Sequence, residues 1–304
     1  MRKNVVRVLI AADGMTPDVA CARAAAARPW PAGSSFCLLN VLDPYPFNRA
    51  PLFLDRAKER VLLNLDSASR SLRQAGWNTT TEIYLGSPRR DVNRFARDWK
   101  ADLLMVGCND VSDLTRLFLG STAQSVVRHA PCSVEVVRPH PGNGDSGRGR
   151  GMKILVATDG SEFSLAALCS VANRPWPAGS IVKVISVPEF VLVTESSYLQ
   201  THEVKDLGVA AIEDAKMSVA AGVHALSKSG LEVCSEIPTV EDRPYRVILN
   251  EAETWQADMI VAGSHGRSGF DRVIMGSVSE AVALHAKCSV EVIRQAKSKK
   301  GWRS

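Results

Sequence analysis

Long hydrophobic runs, a CxxC pair and a large net charge are all missing from this sequence of 304 residues. No run approaches the roughly 20 apolar residues that cross a bilayer, so we expect no membrane span and no membrane partner. The apolar N-terminal stretch is short and contains Arg7, which predicts a first strand and a cytoplasmic protein instead of a signal peptide. A net charge of +5 is mild, so no nucleic-acid partner is expected.

The cysteines show no metal-ligand spacing with histidine, so no metal site is predicted. Six of the seven fall within predicted helices or strands, while Cys108 falls in a predicted loop. This placement predicts small buried hydrophobic side chains in a reducing compartment. The six are Cys21, Cys37, Cys132, Cys169, Cys234 and Cys288.

An internal repeat organises the chain. Residues 28–34 (RPWPAGS) recur unchanged as residues 174–180, and residues 129–138 recur as residues 285–294 with two substitutions. The segment between the copies is rich in glycine and proline and has no large apolar residue, which predicts a flexible linker. The predicted organisation is a first domain (1–138), a linker (139–151), a second domain (152–294) and a basic tail (295–304).

Strand and helix patterns alternate in both copies. The predicted strands are continuous apolar runs, which is typical of a parallel sheet covered by helices on both faces. We therefore predict two tandem α/β domains, each a doubly wound parallel sheet of five strands. In the second copy the predicted strands are 153–157, 181–187, 232–237, 259–262 and 289–293, and the predicted helices are 161–172, 198–229, 245–256 and 277–285.

Two polar features follow strands of the second copy. Asp159 comes directly after the first strand, and a turn beginning at Gly263 follows the fourth. Ligands of open parallel sheets bind beyond the carboxyl ends of the strands, where these features should meet. Gly266 and Gly276 allow close backbone approach, and the free amides of the next helical turn form a phosphate site.

Other side chains of this region also suggest roles. Arg267 could add charge-assisted bonds to phosphate, and Asp159 is suited to accept from an amino group or a ribose hydroxyl. Asp159 could equally serve as a helix cap or Asx turn, and the glycines could be structural. We expect His265 to be a solvated loop residue without a catalytic role.

The spacing Gly263-x2-Gly266-x9-Gly276-Ser277 resembles the phosphate loop of the universal stress protein family, in its ATP-binding branch. The aspartate after the first strand, the last strand and the tandem duplication strengthen the resemblance. No Walker A signature is present, which argues against a P-loop NTPase. The resemblance implies a strand order of 3-2-1-4-5 and pairing of the two sheets through their last strands. It also implies that the ligand is ATP, bound together with Mg²⁺. It also implies a homo-oligomer, such as a dimer of pseudo-dimers.

The same resemblance implies a set of nucleotide contacts in each domain. In the first domain Asp110 stands where the second has Gly266, and its charge would oppose phosphate, so we predict weak or absent binding there. The second-domain contacts are Ala157, Thr158, Asp159, Val187, Ala262, Gly263, Gly266, Arg267, Gly276, Ser277, Val278 and Ser279. The weaker first-domain contacts are Asp13, Val41, Gly107, Gly120, Ser121 and Thr122.

The leading functional hypothesis is an ATP-binding regulatory or stress-response protein with no catalytic residues. One alternative is a slow ATP hydrolase or nucleotidyl transferase, although no pair of carboxylates that could hold two metals adjoins the loop. The other alternative is an interaction scaffold that binds no nucleotide.

Overall fold

The computed structural model describes residues 5–12, 16–108, 119–138, 150–189, 201–239, 242–267 and 275–295. The chain divides into two compact units. The first contains residues 1–138 and 293–304, and the second contains residues 139–292.

The first unit is a five-stranded parallel sheet of order β3-β2-β1-β4-β5. This is the order 3-2-1-4-5 that the family resemblance implies. A short 3-10 helix at Tyr45–Phe47 precedes α2. The elements are β1 (Arg7–Ala11), α1 (Thr16–Ala26), β2 (Ser35–Leu42), α2 (Pro51–Gln74), β3 (Asn78–Leu85), α3 (Pro88–Asp98), β4 (Leu103–Gly107), α4 (Ser121–His129) and β5 (Ser133–Val137).

The second unit repeats this order as β8-β7-β6-β9-β10. Strand β6 pairs in parallel with β7 and with β9, and β7 pairs in parallel with β8. The elements are β6 (Lys153–Ala157), α5 (Glu162–Asn173), β7 (Ile181–Ile185), α6 (Thr201–Leu226), β8 (Glu232–Glu236), α7 (Pro244–Thr254), β9 (Met259–Gly263), α8 (Ser277–His285) and β10 (Ser289–Ile293).

Burial explains why the sequence pattern predicts these elements well. All five residues of β9 and of β10 are buried, whereas the edge strand β8 is mostly exposed. Strands covered on both faces appear in the sequence as continuous apolar runs, and the predicted bounds of β9 and β10 are correct to within one residue. The predicted strand 181–187 is two residues shorter in the structure and ends at Ile185.

The repeated RPWPAGS segment ties the loop after the first helix to the last strand. In the second unit the Arg174 guanidinium donates to both carboxylate oxygens of Glu291, at 2.8 and 2.5 Å, and lies 4.3 Å from the Trp176 ring centre. The Trp176 indole donates to the Val171 carbonyl at 2.9 Å. The first unit makes the same bonds: the Arg28 guanidinium donates to both carboxylate oxygens of Glu135, and the Trp30 indole donates to the Ala25 carbonyl.

The cysteine expectation is partly wrong. Cys169 and Cys234 are exposed, while the loop residue Cys108 is buried. Cys169 lies on the outer face of α5, and Cys234 lies on the edge strand β8, so an apolar neighbourhood in sequence did not mean burial. In the part of the chain that the structure describes, no helix is both long and apolar enough to span a membrane.

We predict that Arg174→Ala lowers the free energy of unfolding of the second domain by about 3 kcal/mol. The substitution leaves the buried Glu291 carboxylate, 2% exposed, without its cation, and an unpaired buried charge is strongly destabilising. Urea denaturation followed by tryptophan fluorescence measures the change.

The matched control is Arg246→Ala, because Arg246 pairs with Asp242 at 3.7 Å on the surface. Exposed pairs contribute little, so this variant should stay within about 0.5 kcal/mol of the parent protein. Equal losses in the two variants would contradict the role given to the buried pair.

Candidate functional site

The ladder between β6 and β9 brings the two polar sequence features together. Ala157 and Ala262 are direct partners in this ladder, so Asp159 and Gly263 emerge at the same edge of the sheet. The backbone amide of Thr158 donates to the Ile185 carbonyl at 2.9 Å, which places the end of β7 alongside.

The Asp159 carboxylate lies at the centre of this region. It accepts from the backbone amide of Ser161 at 3.0 Å and from the backbone amide of Arg267 at 3.0 Å. Burial raises the pKa of this carboxyl, but hydrogen bonds from Ser161, Ser164 and Arg267 outweigh it and the net pKa is lowered. Asp159 is therefore a carboxylate at neutral pH and only accepts hydrogen bonds.

The first glycines of the turn lie close to their neighbours. A Cβ on Gly263 would lie 2.5 Å from the backbone carbon of Phe163 in α5, and one on Gly266 would lie 2.9 Å from the Asp159 carboxylate. Neither residue, nor Gly276, has a positive φ, so a left-handed backbone does not require glycine at these positions. Positive φ occurs instead at Gly160, at +79°, directly after Asp159.

Helix α8 begins beside this turn. The Gly276 amide donates to the Ser264 carbonyl at 2.8 Å, and a Cβ on Gly276 would lie 3.8 Å from the Gly266 nitrogen. Gly276 caps the helix without a side-chain bond, and the amides of the first turn have no carbonyl partner within the helix. These amides belong to Ser277, Val278 and Ser279.

The hydroxyl of Ser279 has a structural role of its own. It donates to the Gly263 carbonyl at 2.6 Å, and this residue is buried while Ser277 is exposed. The bond fixes the start of α8 to the end of β9. Any contact of Ser279 with a ligand would therefore use its backbone amide.

Arg267 is exposed, and its guanidinium is held by protein groups. Its Nε donates to the Asp159 carbonyl at 2.5 Å, one terminal nitrogen donates to Asp214 at 2.7 Å, and the other donates to the Ser218 hydroxyl at 3.2 Å. Sequence reasoning missed Asp214 and Ser218. They are four residues apart on α6, and no short-range pattern links them to a turn about fifty positions later.

His265 is buried, which contradicts the solvated position expected from the sequence. Its ring Nδ1 lies 3.0 Å from the Ser264 hydroxyl, and its ring centre lies 4.9 Å from that of Phe163. The Phe163 backbone is also the neighbour of Gly263, so this aromatic contact helps to hold the turn against α5.

The first unit has counterparts of some residues of the site. Val41 is buried as part of β2, and the Asn40 side-chain amide donates to the Ala12 carbonyl at 2.8 Å. Gly107 ends β4, and Gly120 caps α4 without a side-chain bond. The helix continues with Ser121, Thr122 and Ala123, and the alanine stands where the second unit has Ser279. Asp13 and Asp110 lie outside the described residues.

The second-unit arrangement combines an anion receptor with a hydrogen-bond acceptor. The amides at the start of α8 attract negative charge, and the helix dipole adds to this attraction. Asp159 offers acceptor oxygens on the other side of Gly266. Among the described residues, no group of three or more His, Cys, Asp or Glu side chains could hold a metal ion.

A family model described as "Universal stress protein family" matches the chain twice, over residues 5–138 and 152–294. A universal stress protein of Mycobacterium tuberculosis is 29% identical over 197 residues, which cover 64% of this chain and 63% of that protein. The match thus spans less than two thirds of the relative's length. A universal stress protein of Bacillus subtilis is 32% identical over 155 residues, covering 47% of this chain and 98% of the relative.

Solved structures share the fold along nearly the whole chain. A universal stress protein from Archaeoglobus fulgidus superposes with a TM-score of 0.63 at 17% identity, covering 96% of this chain and 97% of its own. One from Pseudomonas aeruginosa, described as putative, gives 0.58 at 18% identity, covering 97% and 95%. The duplicated α/β architecture and the two matches of the family model agree, and this chain therefore belongs to the universal stress protein family, whose domain it carries twice in tandem.

Proposed function

We propose that the second domain binds ATP at the turn between β9 and α8. The observation that carries the proposal is the contact between three groups: the Asp159 carboxylate, the Gly266 turn and the uncapped start of α8. The triphosphate would lie against the backbone amides of Gly266, Ser277, Val278 and Ser279. Mg²⁺ would be carried by the phosphates.

The other end of the nucleotide would lie beyond β6 and β7. Asp159 is ionised and could accept from the adenine amino group or a ribose hydroxyl. Val187 is half-buried two residues after β7 and offers an apolar edge for the base, next to the backbone of Ala157 and Thr158. The Ala262 and Gly263 backbone would complete the wall on the β9 side.

The pattern of charge supports this orientation. Asp159 and Asp214 would repel phosphate, but the Arg267 guanidinium bonds directly to Asp214 and to the backbone of Asp159. We propose that Arg267 keeps these bonds when nucleotide is bound. Its role is then to position the turn and to offset the acidic charge.

Regulation would follow from the same contacts. ATP can shift a conformational equilibrium only if it binds two states with different affinity. The Arg267 bridge joins the turn to α6, so a nucleotide that orders the turn would also order the contacted part of this helix. We propose that this coupling makes ATP occupancy a signal in a stress response.

Titration calorimetry with ATP should give one site per chain. In the second domain a Cβ at position 266 would already contact Asp159, and the first domain places a whole aspartate side chain at the matching position, Asp110. The negative charge of an aspartate at this position would oppose phosphate. Two equivalent sites per chain would disprove the asymmetry.

Gly266→Ala should weaken ATP binding by about tenfold or more, equivalent to about 1.4 kcal/mol. The added methyl group would displace the Asp159 carboxylate, which is the end of a side chain and can move without unfolding the domain. Asp110→Ala is the matched control in the first domain and should leave the affinity unchanged. An unchanged affinity in Gly266→Ala, with the fold intact by circular dichroism, would exclude this site.

Asp214→Ala should weaken ATP binding by roughly two- to fivefold, and Arg267→Ala by roughly five- to tenfold. Asp214→Ala removes the charge-assisted bond that links the turn to α6 but leaves the bond from Arg267 to Ser218, whereas Arg267→Ala removes both bonds. Fluorescence titration with a labelled ATP analogue measures both variants. If Arg267 contacts phosphate directly, Asp214→Ala would instead bind as well as the parent protein while Arg267→Ala fails.

A further inference from the structure

Helix α2 of the first unit presents large apolar side chains to solvent. Leu52 is 79% exposed, Leu63 is 72% exposed and Phe53 is 57% exposed. The opposite face of the same helix, with Leu65 and Leu72, is fully buried in the core. A helix that is apolar on both faces has a second surface to cover, and such surfaces mark interaction sites.

The exposed apolar residues belong to a narrow stripe with charges at its centre. The stripe consists of Leu52, Arg56, Glu59 and Leu63, all exposed and spaced four, three and four residues apart. At about 100° per residue, the four side chains fall within a sector of roughly 60° on the helix surface. Leucines form its two ends, and an arginine and a glutamate form its middle.

The stripe is complementary to an identical stripe that runs in the opposite direction. Its midpoint lies between Ala57 and Lys58, and the two leucines are each about 8 Å from it along the helix axis. Arg56 and Glu59 are each about 2 Å from the midpoint. A two-fold axis at this point brings Leu52 level with the partner subunit's Leu63, and Arg56 level with the partner subunit's Glu59.

We propose that α2 is a self-association surface, which packs antiparallel on α2 of a second copy of this chain. The pair would have leucine contacts at both ends and a central quartet of two arginines and two glutamates. Two-fold interfaces require such a self-complementary patch. The four opposite charges would also fix the register of the two helices.

The corresponding helix of the second unit has the same charge pattern between smaller apolar ends. On α6, Val209, Glu213, Lys216 and Ala220 are exposed and spaced four, three and four residues apart, so reversing this helix also brings opposite charges level. Its ends are a valine and an alanine instead of two leucines, so a pair of α6 helices would bury less apolar surface. The leucine ends together with the central charges therefore select α2, with a second copy of this chain as its occupant.

Charge-reversal variants test the proposal, with sedimentation velocity of the full chain as the measurement. Arg56→Glu places four glutamates at the centre of the pair, and Glu59→Arg places four arginines there. Each variant alone should weaken dimerisation at least about tenfold through like-charge repulsion. An equimolar mixture of the two should form heterodimers, and the double variant R56E/E59R should dimerise like the parent protein.

A second pair of variants tests the apolar ends. Leu52→Ser combined with Leu63→Ser should give a monomer, while Leu207→Ser combined with Met217→Ser on α6 should leave the dimer intact. All four side chains are exposed, so the fold should be retained, and circular dichroism verifies this. A parent protein that stays monomeric, a dimer insensitive to the α2 variants, or charge variants that do not recover when mixed would each overturn the proposal. None of these outcomes depends on the nucleotide site.

Discussion

The parallel ladder between β6 and β9 is the constraint on which the candidate site depends. These strands are about a hundred residues apart in sequence, and their pairing alone places Asp159 beside the turn after Gly263. The ladder can form because both strands are buried and nearly continuous in apolar residues, with helices covering the sheet. The contact of Gly263 with the α5 backbone then sets how close the turn can approach.

The elements and the repeat could be predicted because they rest on local or periodic signals, whereas the strand order followed from the family resemblance. The α8 and β10 bounds follow from the sequence without error. The Arg267 bridge to α6 could not be predicted, because it joins residues distant in sequence through side chains that are common on any exposed helix. The burial of His265 was missed for a similar reason, since the α5 aromatic that covers its ring is far away in the chain.

The glycines of the turn show that a motif can be recognised for one reason and retained for another. The sequence suggests glycine for backbone freedom, but the described glycines of the motif have ordinary negative φ. Gly263 is needed because α5 leaves no space for a side chain, whereas a methyl group at Gly266 would displace the end of the Asp159 side chain. Packing and ligand approach thus impose the same residue type, and the sequence cannot separate them.

The unchanged RPWPAGS segment has a consequence for how the duplicated chain diverged. In each unit the arginine of this segment neutralises a glutamate that is buried in the last strand. A change in either residue alone would therefore leave an unpaired charge in the interior. The ion pair of the turn after β9, between Arg267 and Asp214, is exposed instead of buried, and in this turn the two copies differ. The segment that is identical in the two copies is therefore one that both domains need for their architecture. The turn after β9, where the copies differ, is the part in which one domain could change without the other.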